Sequence, residues 1–150
     1  MNGKLILPEF NLPEIAIKKQ NLVFRNKFIL EHIREGEIID VQEFYNDIVT
    51  EGKNSLLDIM FRAQTQLTAW YLGLITGPGS GTTIAAGDTM SSHAGWTENT
   101  SYSQATRPAC TFGSATTADP SVITNSGSPA TFSINGTATI AGAFLTTSNT

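Results

Sequence analysis

Between Ala63 and Thr150 only four side chains carry charge: Asp88, Glu98, Arg107 and Asp119. The first 62 residues hold eight of the nine Lys/Arg and ten of the thirteen Asp/Glu. The charge-poor part is built from Ser, Thr, Ala and Gly with isolated apolar residues between them. Thr and Val fit a pleated sheet, while Gly and Ser interrupt helices, so this half is expected to form strands and turns. Four charges cannot keep a large surface strongly solvated. That surface is therefore either plain polar sheet or sheet that packs on neighbours, low charge being typical of interface cores.

The pattern predicts short strands around Trp96–Tyr102, Ala109–Phe112, Val122–Thr124, Ala130–Ile134 and Thr139–Leu145, separated by turn residues. "LTAWYLGLI", Leu67–Ile75, is short and almost continuously apolar, as a buried strand is. The spacing suggests a mainly-β fold, a β-sandwich or jelly-roll-like barrel. Asn135-Gly136 is a strong hairpin signal, so "ATFSIN" is expected to pair with "TIAGAFL". The sequence runs only to "TTSNT" after that strand, so a neighbouring subunit is expected to complete the sheet edge.

In the charged half, Phe28–Ile33 and Ile38–Val41 flank "REGE", where Gly36 tolerates positive φ; this predicts a β-hairpin. Leu56, Leu57, Met60 and Phe61 then recur with helical spacing. They predict one short helix at about 53–63, capped by Asn54 or Ser55, with Asp58 in its first turn. Residues 1–22 contain Pro8 and Pro13, which remove backbone donors and favour extended chain. They read as an extended N-terminal arm ahead of a single β-rich domain, 23–150. The arm's Leu5, Leu7, Phe10, Leu12, Ile15 and Ile17 are too many apolar residues for a solvated tail. They pack either on their own domain or on another subunit.

Candidate chemistry is sparse. "ITGPGSGTT" places glycines at 77, 79 and 81 after an apolar run, but it lacks the lysine of a phosphate-binding P-loop and the third glycine of a dinucleotide loop. No helical period follows it, so it is expected to be a turn, exposed or ordered only against a neighbour. Asp88, Ser92 and His93 invite a Ser-His-Asp reading. Catalytic triads, however, bring together distant segments, and no G-x-S-x-G elbow is present. His32 and His93 are the only histidines, and no metal-ligand spacing occurs, so no metal or cofactor is expected. Glu35, Glu37 and Asp40 flank the hairpin turn as solvated carboxylates, and Trp70, Tyr71 and Trp96 are expected in the core. Asn99 and Asn135 head glycosylation patterns, to which no weight is given without an export signal.

Composition sets further limits. Nine scattered basic residues and a net charge of −4 give no basic face for nucleic acid. No apolar stretch approaches the ~20 residues of a membrane helix, and the opening residues lack the pattern of a signal peptide. Cys110 is the only cysteine, so no intrachain disulfide forms.

As a set, several segments resemble a family of small virion structural proteins of tailed bacteriophages. These are "NDIVTEGKNSLL" (Asn46–Leu57), "WYLGL" (Trp70–Leu74), "DTMSSHAGWTE" (Asp88–Glu98) and "YSQATRP" (Tyr102–Pro108). The resemblance spans roughly 28–145 and implies a non-enzymatic role. It points to a capsid decoration, or cement, protein made in the host cytoplasm and bound to the outer surface of the major capsid protein shell. Such a protein would be a homo-oligomer, dimer or trimer, with residues 1–22 as a clamp on a neighbour. The alternative it implies is a tail, adaptor or tail-fibre component. A competing reading from another class is a hydrolase using His93 with Asp88 or Ser92.

Overall fold

The computed structural model describes residues 26–46, 48–77 and 82–150. Strand β1 spans Asn26–Arg34 and strand β2 Glu37–Asn46. Helix α1, Thr50–Phe61, follows, and then strands β3, Tyr71–Thr76; β4, Glu98–Asn99; and β5, Ile140–Thr146. The fold is mainly β with one short helix among the described residues. The strands form a two-stranded sheet, β1-β2, and a three-stranded sheet ordered β4-β3-β5, and neither closes into a barrel.

The expected hairpin forms, and its turn explains why. Glu35 and Gly36 both take positive φ, 52° and 84°, so a two-residue primed turn joins the strands with the twist that a hairpin needs. Antiparallel register runs from Asn26↔Asn46 to Arg34↔Glu37, with a bulge at Ile39 between the pairs His32↔Asp40 and Ile33↔Ile38.

Helix α1 begins at Thr50, earlier than the sequence suggests. Val49 occupies the cap position without a side-chain hydrogen bond. The Thr50 N–H instead donates to the Ala86 carbonyl at 2.8 Å, so a distant segment satisfies an end donor of the helix, and Asn54 and Ser55, expected as caps, lie inside it. Asp58 consequently lies near the far end of the helix, 3.3 Å from Arg62, and Glu51 takes the first turn.

β3 is the central strand of the second sheet, because "LGLI" is apolar on both faces and only burial on both faces satisfies it. Leu74 and Ile75 are each 2% exposed. β5 lines one edge, from Tyr71↔Thr146 to Thr76↔Ile140. The other edge is shared. Thr97 and β4 cover its later half, where the Thr76 N–H donates to Thr97 O. Pro108–Cys110 cover the earlier half through Leu72 N–H to Pro108 O and Cys110 N–H to Trp70 O. Gly73 lies opposite Phe144, and any Cβ there would run into the Phe144 ring. Glycine at this position makes room for the far end of the ring over the central strand.

Four expectations need correction. Ala109–Phe112, Val122–Thr124 and Ala130–Ile134 do not form strands; they contribute only single bridges or loop hydrogen bonds. In 113–124, Gly113 and Thr116 N–H groups donate to Thr124 and Val122 carbonyls. Around them, Ser121 Oγ donates to Thr116 O and Val122 N–H to Thr116 Oγ1. Short hydroxyl side chains compete here for the backbone groups that a ladder would use. Finally, "ATFSIN" does not pair with β5. Its Ser133 and Asn135 bond to the 101–104 segment, through Ser103 N–H to Ser133 O and Asn135 N–H to Ser101 O, while β5 is taken by β3.

Candidate interaction surface

The two sheets place apolar residues in opposite settings. On β1 and β2, every described side chain from Glu31 to Glu43 is exposed. The register puts Ile29, Ile33, Ile38, Val41 and Tyr45 on one face of the hairpin. Their exposures are 58, 55, 54, 52 and 75%, so this face meets no core. Glu31 shares it, and so do Lys27 and Glu43, which pair at 2.6 Å. That pair is open to water and contributes little, though the bond to Glu43 raises the Lys27 pKa above its ordinary value. The opposite face is half-buried only at its base, at Asn26, Phe28, Leu30 and Phe44. There Phe28 lines a pocket of about 90 Å³ together with Leu72, Cys110, Phe112 and Leu145. The hairpin is thus rooted beside the three-stranded sheet, with its tip and one whole face in solvent.

The apolar arm residues Leu5, Leu7, Phe10, Leu12, Ile15 and Ile17 lie outside the described residues, as do Gly79 and Gly81 of the glycine-rich loop. At the start of that loop, the Gly77 N–H donates to Thr139 O at 2.8 Å. Thr76, Gly77, Thr82, Gly95 and Trp96 line a shallow, open depression beside it.

The Asp88–His93 segment does assemble, but around an indole. The Asp88 carboxylate accepts from Trp96 Nε1 at 3.0 Å and from the Ala85 N–H at 2.9 Å. His93 stacks on the Trp96 ring at 3.9 Å, and its Nδ1 lies 3.1 Å from Trp96 O. Trp96 in turn packs on Phe144, 5.0 Å between centroids. Ser91 meets Thr89 Oγ1 at 3.1 Å, and the backbone of Ser92 pairs with Thr89. The carboxylate therefore orients a tryptophan and the histidine caps it: a packed corner rather than a nucleophile with its base. Trp70 and Tyr71 are half-buried at the start of β3. Of the two glycosylation asparagines, Asn99 is buried with Oδ1 accepting from the Ser101 N–H, and Asn135 is exposed.

Sequence reasoning missed the strongest polar element. Arg107 grips Glu98 with two parallel hydrogen bonds, Nε to Oε1 and Nη2 to Oε2, both 2.7 Å. Its third donor, Nη1, reaches Ser148 O at 3.0 Å, and its backbone N–H reaches Asn149 O. The guanidinium also lies 5.5 Å from the Phe144 ring centre. The hydrogen bonding to Glu98 leads the causes that raise the Arg107 pKa, so the cation is permanent. Burial raises the pKa of the Tyr102 phenol and of the Cys110 thiol. A signal for the ion pair was present: in a half with four charges, the only cation needs an anion. The exposed hairpin face had no comparable signal, because alternating apolar residues look the same whether or not a core meets them.

Among the described residues no group of three or more His, Cys, Asp or Glu could hold a metal ion. No helix among them is long and apolar enough to cross a membrane. No protein-family model, curated protein or solved structure matches the chain.

Proposed function

We propose that this chain is a virion structural protein that decorates the outer surface of a tailed-phage head and stabilises the shell by oligomeric contacts. The observation that carries the reading is the hairpin face, where five large apolar residues are more than half exposed on a firmly registered sheet. Exposed apolar surface of this kind marks a place where another molecule packs. Asp88 and His93, which suggested chemistry, hold the Trp96 indole instead. The resemblance of Asn46–Leu57, Trp70–Leu74, Asp88–Glu98 and Tyr102–Pro108 to phage virion proteins supplies the setting. The partner is then the major capsid protein, and many modest contacts add up by multivalency.

The test is occupancy on purified heads of the full chain and of a chain lacking residues 1–22. Binding of the full chain with loss of occupancy on deletion supports decoration with an arm clamp. Unchanged occupancy and head stability would remove the arm from the reading. Signal at the tail with none on the head would overturn decoration in favour of a tail component.

A further inference from the structure

We infer that Asn135-Gly136 is a self-modifying site, where the side-chain amide is lost to water as ammonia and the segment that clasps 101–104 loosens with age. This chemistry is independent of the decoration reading. Asn-Gly is a strong hairpin signal, yet no primed turn forms here. Gly36 is the glycine with positive φ among the described residues, and Gly136 does not share it. Nor does space demand a glycine, since a Cβ at Gly136 would meet Ser101 at an ordinary 3.7 Å. The fold makes no use of the dipeptide as a turn, and its chemistry remains.

The amide carbon of an asparagine can close a five-membered ring with the next backbone nitrogen, and glycine offers that nitrogen without a Cβ to crowd the approach. The Gly136 nitrogen gives its proton to solvent base and bonds to Asn135 Cγ. The Cγ–Nδ2 bond breaks, the departing nitrogen takes a proton from water, and ammonia leaves behind a cyclic imide. One water molecule then opens that ring. Attack at Cγ yields aspartate, and attack at the main-chain carbonyl yields isoaspartate, whose main chain runs through Cβ and is one carbon longer. No atom is oxidised or reduced, and water is the only co-reactant. Each event adds one negative charge to a half whose charged residues are Asp88, Glu98, Asp119 and Arg107.

Folding decides whether the two groups are free to meet. Asn135 and Gly136 are both exposed. Among the described residues, neither the Asn135 side chain nor the Gly136 N–H makes a hydrogen bond. Asparagines elsewhere in the described residues are held. Asn99 is buried with Oδ1 accepting from the Ser101 N–H. The N–H after Asn125 donates to Thr124 Oγ1, and the N–H after Asn149 donates to Ser148 Oγ. Asn54 lies inside α1, and Asn26 and Asn46 lie in the hairpin ladder. The backbone of Asn135, by contrast, ends a clasp. Its N–H donates to Ser101 O at 3.1 Å, the Ser103 N–H donates to Ser133 O at 2.9 Å, and Gln104 bonds to Thr131 O and to the Ser133 N–H. A main chain one carbon longer at residue 135 disturbs the end of that clasp.

The experiment incubates the full chain, folded and guanidinium-unfolded, in mildly alkaline buffer made with oxygen-labelled water, and maps its peptides by mass spectrometry. The map keeps Asn135 apart from Asn2-Gly3, which lies outside the described residues. In the folded chain Asn135 should convert nearly as fast as in the unfolded one. It should outpace Asn99, Asn125 and Asn149 by about tenfold or more, a barrier difference of about 1.4 kcal/mol. Gly136→Ala should slow the conversion by about tenfold. Its circular dichroism and urea midpoint should stay unchanged, because the added Cβ fits. The isoaspartyl product, isolated by anion exchange, should unfold at lower urea than Asn135→Asp, which carries the same charge on an ordinary main chain. Protection of Asn135 by folding of about tenfold or more overturns the inference, and so does a rate indifferent to Gly136→Ala. Equal stability of the isoaspartyl product and Asn135→Asp overturns the loosening of the clasp.

Discussion

Leu74 and Ile75 in the three-stranded sheet are 2% exposed, whereas Ile33 and Ile38, in strands of equally clear register, are 55 and 54% exposed. The difference lies in what holds each sheet. The three-stranded sheet is held by burial: Phe144 lies over Gly73, Trp96 lies against Phe144, and Arg107 closes on Glu98. Beyond its half-buried base, the hairpin is held by its ladder and its turn, and a two-stranded sheet on those terms alone is only marginally stable in water. Apolar residues that stabilise one region thus remain exposed in the other.

If the sheet region depends on its interior, the largest effect should come from the ion pair. Arg107→Ala leaves Glu98 without its counter-charge while its side chain is 17% exposed. Removing one partner of a buried pair costs about 3–5 kcal/mol. Urea unfolding followed by tryptophan fluorescence should show a loss near this range. Arg107→Lys should recover little, since a single ammonium cannot reproduce the two parallel bonds. A loss under about 1 kcal/mol, the scale of a solvent-exposed pair, would mean the pair is ornamental to the sheet.

Gly73→Ala comes next. Its Cβ would enter the Phe144 ring, and overpacking of this type costs about 1–3 kcal/mol. Phe144→Leu in the same chain should relieve part of that cost, and a double-mutant cycle measures the coupling. Additive losses would show that ring and glycine do not share one space.

The parts of this architecture that the sequence revealed are those settled within a few residues. Gly36 between two apolar runs announced the hairpin, and the continuous "LGLI" announced the central strand. What escaped depends on distant partners. Helix α1 starts early because Ala86 O receives Thr50 N–H, and 113–134 stays irregular because Thr116, Ser121 and Gln104 occupy backbone groups that a ladder would need. The candidate surface was legible only in part. The arm was singled out by its prolines and apolar residues, but the hairpin face opposite no core is a tertiary fact, and alternation does not encode it.

A smaller effect, again confined to the sheet region, is expected with pH. Burial raises the Tyr102 pKa above 10, so between 10 and the folded value the unfolded chain loses a proton that the folded chain keeps. The unfolded state then binds fewer protons, and stability must fall as pH rises through that window. Below pH 10 both states are protonated and the group contributes no slope. Tyr102→Phe should therefore flatten the decline in urea midpoint above pH 10 and leave its value at pH 7–9 free of any new slope. An unchanged decline would assign it to other groups, of which Cys110, also raised by burial, is the first to test by Cys110→Ala.

The smallest change belongs to the hairpin and should move nothing else. Glu35 holds φ at 52°, a left-handed conformation that costs most L-residues about 1–2 kcal/mol and that Asn tolerates better. "EG" is thus a weaker primed turn than "NG". Glu35→Asn should lower that strain by at most about 1 kcal/mol. It also removes one of the five acidic charges of residues 26–46. Because the tip is exposed among the described residues, the gain should appear as slower amide exchange in β1 and β2, while the tryptophan-detected unfolding midpoint stays in place. If both readouts rise together, the hairpin and the sheet unfold as one unit, and the contrast between a region held by its interior and a region held by its turn no longer stands.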